Sequence, residues 1–124
     1  MTAFDLETVF LSLSGSGAVT ELPGAHFMER VMRSPADMVY LASMFPMTAD
    51  WPNWERHPAG DEVLILLEGR VELVFDREGV ETRRPFEAGQ TVIVPAGVWH
   101  TAKVLEPGRM LGLTCGAGTE HRPA

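Results

Sequence analysis

The sequence predicts an all-β fold, a sandwich or barrel, with a short N-terminal helix. Three observations predict it. Short runs rich in apolar and β-branched residues recur along most of the chain, and Gly- or Pro-bearing turn signals separate them at short intervals. Where polar residues interleave, the period is two, the strand period: Val71, Leu73 and Phe75 fall on one side of Arg70–Asp76, and Arg70, Glu72 and Asp76 on the other. Helical spacing is clear in one stretch alone, Ala25–Arg33, where Phe27, Met28, Val31 and Met32 share a face.

In chain order, residues 9–13 form a short strand and Ser14-Gly15-Ser16-Gly17 breaks it. Pro23-Gly24 is a turn or the entry to the helix, and Ser34-Pro35 ends it. Residues 38–45 read as a strand bounded by Pro46. The Pro in Trp51-Pro52-Asn53-Trp54 confines that segment to an edge or a bulge. Apolar Glu62–Leu67 is followed by Glu68-Gly69, a turn, and by the alternating strand 70–76. Arg77-Glu78-Gly79 signals a hairpin into Thr82–Phe86. Glu87–Gln90 turns into Thr91–Val94, and Pro95-Ala96-Gly97 turns into Val98–Leu105. Glu106-Pro107-Gly108 turns into the last clear strand, Arg109–Thr114, and Gly116–Ala124 reads as a loose tail.

At 124 residues the chain fits one domain, 1–124, with a barrel over about 38–116, an N-terminal decoration over 1–37 and a tail over 117–124. Hydrophobic residues make up 45%, enough for a core, and charged residues 22%, the globular average. The net charge of −7 argues against a nucleic-acid partner, which needs Lys and Arg to neutralise phosphates. Cys115, the one cysteine, excludes an internal disulfide and fits a reducing compartment. The N-terminus has no basic region followed by an apolar core, and no run approaches the roughly 18 apolar residues of a membrane span. A cytoplasmic location, with no membrane partner, is the expectation.

One constellation carries chemistry. Glu55 and His57 are two apart, so on a strand they share a face and leave Trp54 and Arg56 on the other. After the turn Pro58-Ala59-Gly60, Glu62 returns with the inward face of the next strand and Asp61 faces water. Lys103 seeks water, so its parity points out and His100 points in. Two imidazoles and one or two carboxylates suit a divalent transition ion, and a cation relieves the repulsion and desolvation of clustered carboxylates. Neutral imidazole ligands imply metal release below about pH 6.

Residues 57–69 read His, four residues, Glu, six residues, Gly. Residues 89–100 read Gly, five residues, Pro-Ala-Gly, two residues, His. These two segments resemble the two motifs of the cupin superfamily. The resemblance covers roughly Met38 to Gly116, and the short spacer Arg70–Ala88 is similar to that of compact bacterial single-domain cupins. It implies a double-stranded β-helix (jelly-roll) barrel, a homodimer, and a metal (Fe, Mn, Zn or Ni) held by His57, Glu62, His100 and one further residue. In the family that residue is a histidine at the position of Glu55. The leading Gly falls at Ala49 and the closing Asn at Val104. Without the third histidine, two His and Glu62 remain, like the facial triad of non-haem Fe(II) oxygenases. Glu55 is a ligand, an acceptor orienting an imidazole, a candidate base, or a surface charge.

The bland readings stand beside these. His57 and His100 can be satisfied by ordinary hydrogen bonds. Gly69, Gly89 and Gly97 are turn residues, and Trp51, Trp54 and Trp99 fit core or interface, the last two on the outer face. Met28, Met32, Met38, Met44 and Met47 are apolar filling, a few of them candidates to line the pocket, Cys115 is a buried small hydrophobe, His26 lies on the surface, and His121 lies in the tail, where a lid role is the alternative. The functional expectation is a metal-binding cupin that acts on a small polar molecule in a dioxygenase- or isomerase-like reaction. The alternative is a non-catalytic barrel that binds a small molecule or metal as a sensor. A storage or structural barrel ranks third.

Overall fold

The computed structural model describes residues 2–24, 26, 30, 32 and 34–124. Among them the chain is all-β. Nine strands follow in order: β1 Val9–Ser14, β2 Val19–Pro23, β3 Met38–Met47, β4 Asn53–Arg56, β5 Glu62–Arg77, β6 Val80–Glu87, β7 Thr91–Val94, β8 Trp99–Thr114 and β9 Glu120–Pro123. Every pairing is antiparallel. The path β2-β1-β3-β8-β4-β9 forms one row, and β5 pairs with β6, β7 and β8 beside it. No helix of the described residues is long and apolar enough to cross a membrane.

Strand β8 is the spine. Its C-terminal half, Gly108–Thr114, lies between β3 and the first half of β5. Its N-terminal half runs along the second half of β5, and at His100 it meets Glu55 of β4. The sheet curls around one apolar interior: Met47, Leu64, Leu66, Val71, Leu73, Phe75, Phe86, Val94, Ala102 and Met110. The alternation read from 70–76 is what buries Val71, Leu73 and Phe75 while Arg70 and Glu72 stay outside. A smaller cluster of Phe10, Leu22 and Leu41 backs β1–β3.

The structure departs from the sequence reading in several places, the first being the unpredicted strand β2. Glu68-Gly69 and Glu106-Pro107-Gly108 do not end strands; they are irregularities within the 16-residue strands β5 and β8. The reason is close backbone contact. A Cβ on Gly108 would sit 1.8 Å from the Glu68 carbonyl oxygen, and one on Gly69 (φ +87°) would sit 2.6 Å from the Glu106 and Pro107 carbonyl oxygens. Two glycines let the strands bend past each other where any side chain would part them.

Pro46 does not close β3, which runs on to Met47 beside Gly108–Arg109. The loose tail forms β9, paired to β4. The short N-terminal helix is not among the elements found: most of Ala25–Arg33 lies outside the described residues, and among those described Arg30 N–H donates to the His26 carbonyl at 3.2 Å.

Gly108→Ala is expected to destabilise the fold by about 3 kcal/mol, lowering the melting temperature by roughly 10 °C. Gly116→Ala, which meets nothing within 4 Å, should leave it nearly unchanged. Thermal denaturation followed by circular dichroism checks the pair.

Candidate metal centre

Four chain segments meet at one end of the curled sheet. Glu55 is on β4, in register with His100 of β8 on one side and His121 of β9 on the other. His57 follows β4 directly. Its carbonyl accepts from Gly97 N–H at 3.0 Å, and Asp61 Oδ1 accepts from Ala96 N–H at 2.9 Å. The Pro95-Ala96-Gly97 turn is thereby stitched to the loop that carries His57. Asp61 faces water, as alternation requires, and Glu62 opens β5 with its side chain inward.

The structure brings together all four residues singled out in the sequence. Glu55, His57, Glu62 and His100 each offer one ligand atom, and these atoms lie within 4.8 Å of one another. Three are buried: His100 is 0% exposed, Glu62 3% and His57 5%. The Glu55 side chain keeps 23% of its surface in solvent, so it stands at the mouth. The two imidazole rings are 5.4 Å apart, centre to centre.

Both rings are pinned through Nδ1. His100 Nδ1–H donates to the Val98 carbonyl at 3.0 Å, and His57 Nδ1 meets Thr119 Oγ1 at 2.8 Å. Each Nε2 is left to face the carboxylates. His100 Nε2 is 3.1 Å from Glu62 Oε1 and 3.5 Å from Glu55 Oε1. His57 Nε2 is 3.2 Å from Glu62 Oε2 and 3.4 Å from Glu55 Oε1, yet neither oxygen is in hydrogen-bonding line, and this buried nitrogen has no hydrogen-bond partner. Thr114 Oγ1–H donates to Glu62 Oε2 at 2.6 Å and fixes that carboxylate.

Without a cation the four groups share protons. Burial opposes charge on both imidazoles, but the Glu55 and Glu62 carboxylates beside them prevail and raise each to about 9. Burial also opposes charge on the carboxylates, and the two imidazoles prevail in turn. Glu55 is lowered to about 2 and Glu62 is lowered as well.

Three participants were not legible in advance. Thr114 and Thr119 hold the Glu62 and His57 side chains, and His121 Nε2 lies 3.5 Å from Glu55 Oε2 at the solvent edge. The short side chains of the two threonines, and the tail position of His121, give no signal without the pairings of β8 and β9. Trp51 stands edge-on to His100 at 6.2 Å, with Phe45 6.3 Å beyond it, forming an aromatic wall. Trp54 and Trp99 lie on the outer face, as their parity predicts, under the guanidinium groups of Arg122 and Arg56.

A family model described as a cupin domain matches residues 44–115. Among solved structures the chain is similar to a cupin-2 domain containing protein from Shewanella frigidimarina NCIMB 400, with 23% identity and a TM-score of 0.53 over 62% of this chain and 71% of that one. It is similar to HppE, solved in its Co(II) form with substrate, at 16% identity and a TM-score of 0.53 over 61% of this chain and 44% of that one. It is also similar to oxalate decarboxylase of Bacillus subtilis, a protein with Mn(II) centres, at 13% identity and a TM-score of 0.58 over 74% of this chain and 26% of that one. At such identities the likeness is one of fold. The chain spans under half of HppE and about a quarter of the decarboxylase. None of the curated proteins matches it.

The shifted groups give the metal-free protein a defined pH profile. Unfolded imidazole titrates near 6.5 and folded His57 and His100 near 9, so their contribution is complete below about pH 6.5 and lost as pH rises through about 9. Unfolded Glu titrates near 4.5, so the carboxylate contribution is complete above that and is lost for Glu55 as pH falls through about 2. Chelator-treated protein is expected to melt highest between about pH 5 and 6.5 and progressively lower toward pH 9. Replacing both histidines with Gln should flatten the alkaline limb. A melting temperature that is level from pH 6.5 to 9 in the unsubstituted chain would contradict the charge assignment.

Proposed function

The chain belongs to the cupin family, and from that premise we propose that it is a metal-binding barrel acting on a small polar molecule. His57, Glu62, His100 and Glu55 would hold the ion. The observation that carries this reading is the convergence of four donor side chains, three of them buried, around a histidine nitrogen with no hydrogen-bond partner. With both rings neutral the cluster carries two negative charges in a poorly solvated place, and a dication balances them. Imidazole with carboxylate suits Fe, Mn, Zn or Ni, and the second carboxylate favours the harder ions of that set. Such an ion supplies Lewis acidity and a template for substrate.

This chain's own residues supply the rest. Trp51 gives an apolar wall beside His100. Glu55, partly in solvent, meets whatever enters. As a general base in the metal-free state Glu55 is poor, because two protonated imidazoles hold it near 2. Its better role is that of a ligand. A dioxygenase- or isomerase-like reaction is the class this donor set favours.

A second reading is a non-catalytic binding barrel. It draws on the pairing available without a cation: imidazoles raised to about 9 stand beside two carboxylates, and His100 Nε2 reaches Glu62 Oε1 at 3.1 Å.

Elemental analysis of protein purified without added metal is expected to give about one transition ion per chain, and close to none after His57→Ala with His100→Ala. Metal retained by that double variant would refute the ligand assignment. Because the metal-free rings hold protons up to about pH 9, affinity should already decline below pH 9, by up to about a hundredfold per pH unit where two protons are displaced. Affinity level between pH 9 and 7 would contradict imidazole ligation. Oxygen uptake with Fe(II) over a panel of small thiols, diketones and phenols separates the readings: turnover supports an enzyme, and ligand-induced thermal shifts without turnover support the binding barrel.

A further inference from the structure

We propose that Thr119 is a positioning residue for His57, and that strand β9 is a strap whose work is to keep Thr119 in place. The effect on metal affinity rests on the metal-binding reading above; the hydrogen-bond geometry does not.

The assignment follows from counting hydrogens. A threonine hydroxyl has one. Thr119 Oγ1 lies 2.9 Å from the Gly116 carbonyl, which can only accept, so the hydroxyl hydrogen is committed there. With the hydroxyl hydrogen so placed, the contact of Oγ1 with His57 Nδ1 at 2.8 Å runs the other way, with the ring donating. In a neutral ring the proton is on Nδ1 and the lone pair on Nε2, the atom that faces Glu55 and Glu62. His100 gets the same tautomer from a backbone carbonyl on its own strand. His57 depends on a residue 62 positions away in sequence.

That residue is held by a segment bound to one strand. Among the described elements β9 pairs with β4 alone, through Asn53↔Pro123, Trp54↔Arg122, Glu55↔His121 and Arg56↔Glu120. Ala124 N–H adds a bond to the Pro52 carbonyl at 3.1 Å. Four ladder pairs are a weak edge, and the outer face reinforces them. Glu120 pairs with Arg56 at 2.8 Å. Arg122 pairs with Asp76 and lies over the rings of Trp99 at 4.5 Å and Trp54 at 5.3 Å. Alternation turns His121 the other way, to Glu55. The strap thus clamps the strand bearing Glu55 and delivers the hydroxyl that orients the next ring.

The test compares Thr119→Val, which keeps shape and loses the acceptor, with Thr119→Ser, which keeps both roles. Two readouts are needed. One is the ring ¹⁵N signature of His57 in chelator-treated protein, at a pH where both rings are neutral. The other is the Zn²⁺ dissociation constant by chelator competition. Thr119→Val is expected to turn a single Nδ1–H form into a mixture and to weaken Zn²⁺ binding by about 10–100-fold. Thr119→Ser should stay within about threefold of the parent, and a chain ending at residue 116 should behave like Thr119→Val. A Val variant and a truncated chain that both keep the parent tautomer would overturn the proposal. Should the parent bind no Zn²⁺, the metal reading fails while the ¹⁵N comparison still decides the role of Thr119.

Discussion

Glu62 touches both ends of the same strand. Its Oε2 accepts from Thr114, the last residue of β8, and its Oε1 lies 3.1 Å from His100, the second residue of that strand. Laid flat, a 16-residue strand spans roughly 50 Å. One carboxylate can meet both ends only if the sheet has rolled up on itself, so this contact is the closure of the barrel expressed in a single side chain. The glycines at 69 and 108 make the roll possible by letting β5 and β8 bend at close backbone approach, and the ring of Leu64, Leu66, Val71, Leu73 and Met110 makes it favourable by filling the hollow.

Closure also creates an electrostatic problem. It gathers two carboxylates and two imidazoles where little water reaches them. Such a group must come out close to neutral, by protons on both rings or by a cation between them. The hydrogen bonds prepare the second outcome as well as the first. Each ring is held through Nδ1, so under the proposal each Nε2 is the nitrogen that would exchange a proton for the cation. On the proposed reading, one cluster serves as an ion-pair network without metal and as a ligand set with it.

How much of this was legible in the sequence depends on where the stabilising partner lies. The inward aim of His100 followed from Lys103, three residues on, whose charge had to reach water. The arrival of Glu62 beside it followed from the spacing of the segment after His57. Both signals are local. The bends at Gly69 and Gly108 were read as turns because Gly and Pro mark both; only the facing backbone distinguishes them, and that backbone is far off in sequence. Strand β9 was read as loose because Glu120-His121-Arg122-Pro123 offers no apolar face. Its ordering comes from Trp99, Asp76 and Arg56, and no window around residue 120 contains them. Thr119 was invisible for the same reason.

The most direct test of the central claim is anomalous diffraction from crystals of the protein grown with Mn²⁺ or Zn²⁺. The account predicts one strong peak per chain within about 2.0–2.3 Å of Nε2 of His57, Nε2 of His100 and a carboxylate oxygen of Glu62. Crystals at saturating metal with no peak among these side chains, or with the two rings turned away from each other, would contradict it.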